Sequence, residues 1–231
     1  MKKPAVVASV VAVVLAVGAY LALRPKSEPP VPPPVPAPEQ KPADAPLPPA
    51  AQSDATLRSN FGNVSSKISQ WLLQPDLLDR IAALVGDLVR DESPRKALDF
   101  LAPKTRFSST HGHIDPKSYE RYDDVADAIA SVDVQKLVAG VKAVHPLLES
   151  AYHRLADPNR SFDDAVKAAL QRIVDAPVVE GEIAVVPHGA NDLFADEKLE
   201  VLGPVEKHLI RMGPKNEKAI QAKAREFLAA F

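Results

Sequence analysis

Leu77-Leu78-Asp79-Arg80-Ile81-Ala82-Ala83-Leu84-Val85-Gly86-Asp87-Leu88-Val89 decides the fold class. Leu77, Leu78, Ile81, Leu84, Val85, Leu88 and Val89 recur at i, i+3, i+4 and i+7, which draws one apolar stripe along a helix and leaves Asp79, Arg80 and Asp87 outside it. Such a stripe must be covered, so the segment reads as a core helix opened by Pro75. The same period returns on both sides. Asp54 is placed to cap a short helix toward Phe61, with Gly62 at its end, and Val64, Ile68, Trp71 and Leu72 follow at helical spacing. Downstream, Asp115-Pro116 opens a helix carrying Tyr119, Arg121, Tyr122, Val125 and Ile129. Asp133 introduces the longest helix, striped by Leu137, Val141, Val144, Leu148, Tyr152 and Leu155, with a kink expected at Pro146. Ser161-Phe162-Asp163-Asp164 has the form of a capping box and starts a helix to about Ala176.

The remaining segments are turns and corners. Residues 91–115 read as an irregular stretch, and the β-branched run Glu182-Ile183-Ala184-Val185-Val186 as a single strand, expected to pair near Phe107, or an extended crossing. Gly203-Pro204 and Gly213-Pro214 each place a helix start just after a residue suited to ending one, and the last helix runs from about Lys215 to the end. The fold class is mainly α: a compact multi-helix domain with at most a small β ribbon.

Two segments of different character precede it. Residues 4–23 carry no charge over a length that a helix extends to roughly 30 Å, about one bilayer thickness, behind Met1-Lys2-Lys3. The run is too long for a cleavable signal, so it reads as an uncleaved transmembrane anchor. Residues 25–50 hold 12 of the 23 prolines, a composition that favours extended polyproline II and a stiff spacer. The expected organisation is residues 1–24 as a single-pass transmembrane anchor, 25–52 as a proline-rich disordered linker and 53–231 as the helical domain. This places the chain at a bacterial inner membrane, with the C-terminal domain in the periplasm.

Composition narrows the function. Residues 1–52 contain five basic and three acidic side chains, so of 28 basic and 30 acidic residues the domain keeps 23 and 27, a net charge of −4. That balance opposes nucleic-acid binding, which draws its affinity from neutralised phosphates. With no cysteine, disulfide and thiolate chemistry are excluded. No serine sits in a nucleophile elbow, no glycine-rich phosphate loop is present, and His145, His153, His188 and His208 are scattered. The one grouping of metal-ligand type is His111-Gly112-His113 with Asp115, which supports a metal-dependent or hydrolytic alternative; read plainly, it is a polar loop. Arg211 is suited either to an anion or to a salt bridge with Glu200, Glu206 or Asp123 that fixes the nearby corner. No cofactor is expected.

Four ordered segments carry a resemblance. Ser118-Tyr119-Glu120-Arg121-Tyr122-Asp123, His145-Pro146-Leu147-Leu148 with Ala151-Tyr152, Phe194-Ala195-Asp196 with Leu199-Glu200, and Lys207 through Asn216 together resemble the bacterial family catalogued as domain of unknown function 3014. The likeness spans roughly residues 54–230; one departure is Asp192, at a position aromatic in the family. It implies the layout already described, an anchor, a proline-rich spacer and this domain, and assigns no activity. The resulting expectation is a membrane-tethered, non-catalytic binding or scaffolding module. Its partner would be an envelope protein or polymer, with Tyr119, Arg121, Tyr122, Arg211 and Asn216 as candidate binding residues.

Overall fold

The core helix forms over Leu77–Val89, and it is built into its neighbours from its first turn. In the computed structural model, which describes residues 46–188 and 191–231, it is α2, preceded by α1 at Ala50–Phe61. The expected anchor at residues 4–23 and residues 25–45 of the proline-rich segment lie outside the described residues. Among the described residues no helix is long and apolar enough to cross a membrane.

Asp54 does not begin α1, which starts at Ala50. It lies buried within α1 and accepts the backbone amides of Asp76 at 3.1 Å and Leu77 at 2.8 Å, so it caps α2. The α2 start needs this help because Asp76 has a left-handed backbone (φ 57°) and makes no side-chain cap of its own. Arg58, one turn on, donates to the carbonyls of Leu72 and Gln74 and holds the connection, which contains a 3₁₀ turn at Trp71–Leu73.

The helix expected after Asp115 is divided into α3, Lys117–Glu120, and α4, Asp123–Ala130. Asp133 caps α5, Val134–Leu155, through the Lys136 amide at 3.1 Å, and α5 runs unbroken through Pro146. Ser161 caps α6, Phe162–Asp175, through the Asp164 amide at 3.1 Å; Glu149 of α5 accepts the Phe162 amide at 2.7 Å. Helices α1, α2, α5 and α6 enclose the main core around Leu57, Phe61, Leu78, Ala82, Val144, Leu148, Tyr152 and Phe162.

The β structure among the described residues is two short hairpins. β1 (Ser109–Thr110) pairs with β2 (His113–Ile114), and β3 (Val185–His188) with β4 (Asn191–Phe194), both antiparallel. The run around Val185 therefore pairs with the chain that follows it and not with the stretch near Phe107. It also meets the first hairpin: Ile114 donates to the Ile183 carbonyl at 2.9 Å, His113 bridges Ala184, and Val185 donates to the Gly112 carbonyl at 2.8 Å. Ile114, Ile183, Val185, Phe194 and Ile210 form a satellite core under the hairpins. The chain ends in α7 (Glu197–Glu200), α8 (Pro204–Met212) and α9 (Pro214–Ala230), and Val205, Leu209, Met212 and Ile220 pack with Tyr122 and Ala126 in a third cluster.

Candidate functional site

The third cluster and the satellite core meet along one face of α8, where cationic side chains lie on aromatic rings. Arg121, at the break between α3 and α4, is fixed in three directions. It donates from Nε to the Ser118 carbonyl at 2.8 Å, from Nη1 to the Thr105 carbonyl at 3.2 Å and from Nη2 to the Tyr122 hydroxyl at 3.4 Å. Its guanidinium carbon stands 5.1 Å from the Tyr122 ring centroid and 5.5 Å from that of Phe107. The buried Tyr122 ring meets His208 of α8 edge to face at 5.6 Å.

Arg211 sits three residues beyond His208, on the same side of α8. Its guanidinium carbon lies 4.3 Å over the Phe194 ring, and it donates to the Asp192 carbonyl at 3.1 Å and the Lys207 carbonyl at 3.4 Å. The expected salt bridge to Glu200, Glu206 or Asp123 does not form, because each of those carboxylates has another cation. Glu200 takes Lys207 at 2.8 Å, Glu206 takes Arg172 at 3.2 Å and Asp123 takes Lys215 at 3.0 Å. The hydrogen bond from Lys207 holds the Glu200 carboxyl below its ordinary range, and that from Lys215 does the same for Asp123. Among the described residues neither Arg121 nor Arg211 has a carboxylate within ion-pair distance, although both are partly buried.

Electrostatics brings a further arginine into the group. Burial pushes His208 down to about 4, and the cations of Arg95, Arg211 and Arg121 add to that push. Burial also lowers Arg211, with Arg95 acting in the same direction against Glu200. Arg95 is exposed and makes no hydrogen bond or ion pair among the described residues. At neutral pH the imidazole on this face is therefore uncharged, with Arg121 placed near it through the Tyr122 ring, Arg211 one turn on along α8, and Arg95 acting on it through its charge alone.

Tyr119 and Asn216, expected beside Arg121 and Arg211 as binding residues, belong to the corner below them. A Cβ at Gly213, where φ is +86°, would meet Tyr119 Cγ at 2.5 Å, so the ring occupies the space the glycine leaves. Asn216 is buried and donates its amide to the carbonyls of Tyr119 and Met212, each at 3.0 Å. Both residues fix the angle between α8 and α9.

His111, His113 and Asp115 do not converge. His111 and Gly112 take φ of 52° and 78°, the positive values that both central residues of a two-residue type I′ hairpin turn require. His113 Nδ1 is 3.1 Å from the His111 carbonyl; Asp115 accepts the Lys117 amide at 3.0 Å and the Ser108 hydroxyl at 3.3 Å. Among the described residues no group of three His, Cys, Asp or Glu side chains is placed to hold a metal ion.

His208, Arg95, Phe107 and Phe194 are the site members that the sequence reading did not assemble. Their helical or loop spacing carries no shared signal, since they come from four separate segments. His208 and Arg211 at i and i+3 were the one readable pair.

The family described as "Protein of unknown function (DUF3014)" matches residues 77–228, about two thirds of the chain and all of the elements that build this face. No curated protein and no solved structure matches the chain.

Proposed function

This chain belongs to the DUF3014 family, and on that premise we propose that it is a membrane-tethered, non-catalytic binding module that engages an envelope protein or polymer through the arginine face of α8. The observation that carries the reading is the absence of a carboxylate partner at Arg121 and Arg211 among the described residues, although both are held in place by backbone carbonyls and aromatic rings. A guanidinium fixed in one orientation, with donors left over, is the usual means of recognising an oxyanion or a carboxylate on a partner. Arginine and aromatic side chains are also the types that dominate binding hot spots.

The tethering half of the proposal rests on the uncharged residues 4–23 and the proline-rich segment after them. A module held at a membrane by a stiff spacer meets its partner at a raised local concentration, so modest affinity suffices.

A photo-crosslinking amino acid at position 95, introduced into the full chain in bacterial cells, tests the binding half. One specific adduct is expected, and it should be lost when Arg211→Gln is combined with it. Protease added to spheroplasts tests the tether: digestion of the domain is expected, whereas a protected domain would place it on the wrong side of the membrane. Recovery of no specific adduct from any position on the face would end the binding reading.

A further inference from the structure

We propose that Glu217 is a proton-operated latch on the corner beneath the arginine face: while its carboxyl is neutral the first turns of α9 stay docked on α6, and when the proton is lost they lift about Gly213 and loosen Arg121 and Arg211. The control this exerts on a partner rests on the binding-module reading; the movement itself does not. Three observations support it.

The first is that nothing compensates a charge at this position. Glu217 is completely buried, and among the described residues neither of its carboxylate oxygens has a hydrogen-bond partner. The side-chain amides beside it in α9 are spent. Asn216 donates to the carbonyls of Tyr119 and Met212, each at 3.0 Å. Gln221, one turn on, donates to the carbonyls of Ile173 at 3.1 Å and Ala176 at 2.7 Å, at the end of α6. A side-chain amide has two N–H donors, so neither keeps one for Glu217.

The second is that the charged groups on and around α9 are engaged elsewhere. Lys215 pairs with Asp123 of α4 at 3.0 Å, Lys218 with Glu180, and Arg172 of α6 with Glu206 of α8 at 3.2 Å. Lys223 donates to the Val132 carbonyl at 2.9 Å and pairs with Glu226 at 2.6 Å. Asp127 of α4 takes Lys67 at 3.6 Å, and Asp175 of α6 takes the Gln171 amide at 2.8 Å. Burial alone acts on the Glu217 carboxyl and pushes it up to about 8. An ionised Glu217 in the closed corner is thus a buried charge without a partner, which exposure to water relieves.

The third is the geometry of the joint. Gly213 precedes α9 at φ +86°, and the Glu217 amide closes the first turn on the Gly213 carbonyl at 3.0 Å. Asn216, next to Glu217, bonds both segments that carry the arginines: the Tyr119 carbonyl lies two residues before Arg121, and the Met212 carbonyl one residue after Arg211. Lifting this turn brings the carboxyl into water, where its proton passes to solvent, and breaks both bonds together.

The test is hydrogen exchange read by mass spectrometry, on the full chain in zwitterionic nanodiscs from pH 5 to 9. Glu217→Gln is measured at each pH, so the intrinsic pH dependence of exchange cancels. Relative to it, protection of residues 214–221 should fall about tenfold per pH unit up to about pH 8 and level off above, and residues 119–122 should follow. Low urea should leave this exchange unchanged, while α5 stays more protected and exchanges by urea-dependent global unfolding. A ratio that does not vary with pH overturns the latch. So does exchange of residues 214–221 at the rate and urea dependence of α5, since Glu217 would then reach water only on complete unfolding. Glu217→Met, which buries no amide or carboxyl, serves as the reference if Glu217→Gln does not fold. In spheroplasts, the crosslink from position 95 should weaken between pH 6 and pH 8 in the parent chain and stay constant in the reference variant. A constant adduct in both overturns the control of the face. Proton-linked exchange with no adduct at either pH leaves the latch standing and fails the binding module instead.

Discussion

Asp91 caps a helix that begins more than a hundred residues later: its Oδ1 accepts the backbone amide of Val205, in the first turn of α8, at 3.2 Å. Asp91 reaches that position from a left-handed backbone (φ 56°), and Arg172 holds its other oxygen at 3.6 Å. The carboxylate lies where a side chain at Gly203 would be, since a Cβ there would come within 1.6 Å of Asp91 Oδ2. The start of the helix that carries His208 and Arg211 is thus anchored to the end of α2. Asp91→Ala should cost about 1–2 kcal/mol, the range of a lost cap, whereas Asp91→Asn keeps both the acceptor and the backbone preference and should cost less. Gly203→Ala should destabilise at least as much as Asp91→Ala. Urea unfolding of the three variants checks the order.

Asp54 does the same for α2, accepting two amides while itself buried. Asp54→Ala leaves the Leu77 amide without a partner in a buried setting. A loss of about 2–3 kcal/mol is expected, larger than for Asp91→Ala, and denaturant midpoints measure it.

Glu217 of α9 is completely buried, and among the described residues neither carboxylate oxygen has a hydrogen-bond partner. Burial pushes its carboxyl up from 4.5 to about 8. The folded chain therefore holds a proton that the unfolded chain releases. This contribution to stability is fully present below the ordinary carboxyl value, falls by about 1.4 kcal/mol per pH unit as pH rises toward the folded value, and is gone above it. Glu217→Gln should flatten that fall and be the more stable protein at pH 8. Thermal melts of both proteins from pH 5 to 9 provide the comparison; an unchanged slope would contradict it.

Gly213 and Tyr119 form the corner under the arginine face. Gly213→Ala combines a disfavoured positive φ with a clash against the Tyr119 ring, and a loss of about 2 kcal/mol or more is expected. If Tyr119 serves only this corner, Tyr119→Leu should lower stability and leave crosslinking from position 95 intact in the folded fraction.

Much of this was readable beforehand because helices announce themselves through local periods. The stripe of Leu77–Val89, the Asp133 and Ser161 caps and the Gly213-Pro214 corner all depend on residues within one or two turns of each other, and each was found where expected. Asp54 misled because a carboxylate before an apolar run looks the same whether it caps its own helix or another. Glu217 was missed although it falls in the buried stripe with Ile220 and Ala224, one and two turns on. A charged residue inside such a stripe was the signal.

The arginine face shows where local reading stops. Sequence by itself determined a mainly helical domain, the places where its helices begin and turn, and that Arg121 and Arg211 are cations of the type that bind anions. Which carboxylates they would meet was decided by tertiary structure alone. Glu200, Glu206 and Asp123 were all within plausible reach of Arg211, but Lys207, Arg172 and Lys215 occupy them, and only packing from four segments sets those distances. Ion pairs depend on a few ångströms of separation between residues far apart in the chain, and no periodicity encodes that.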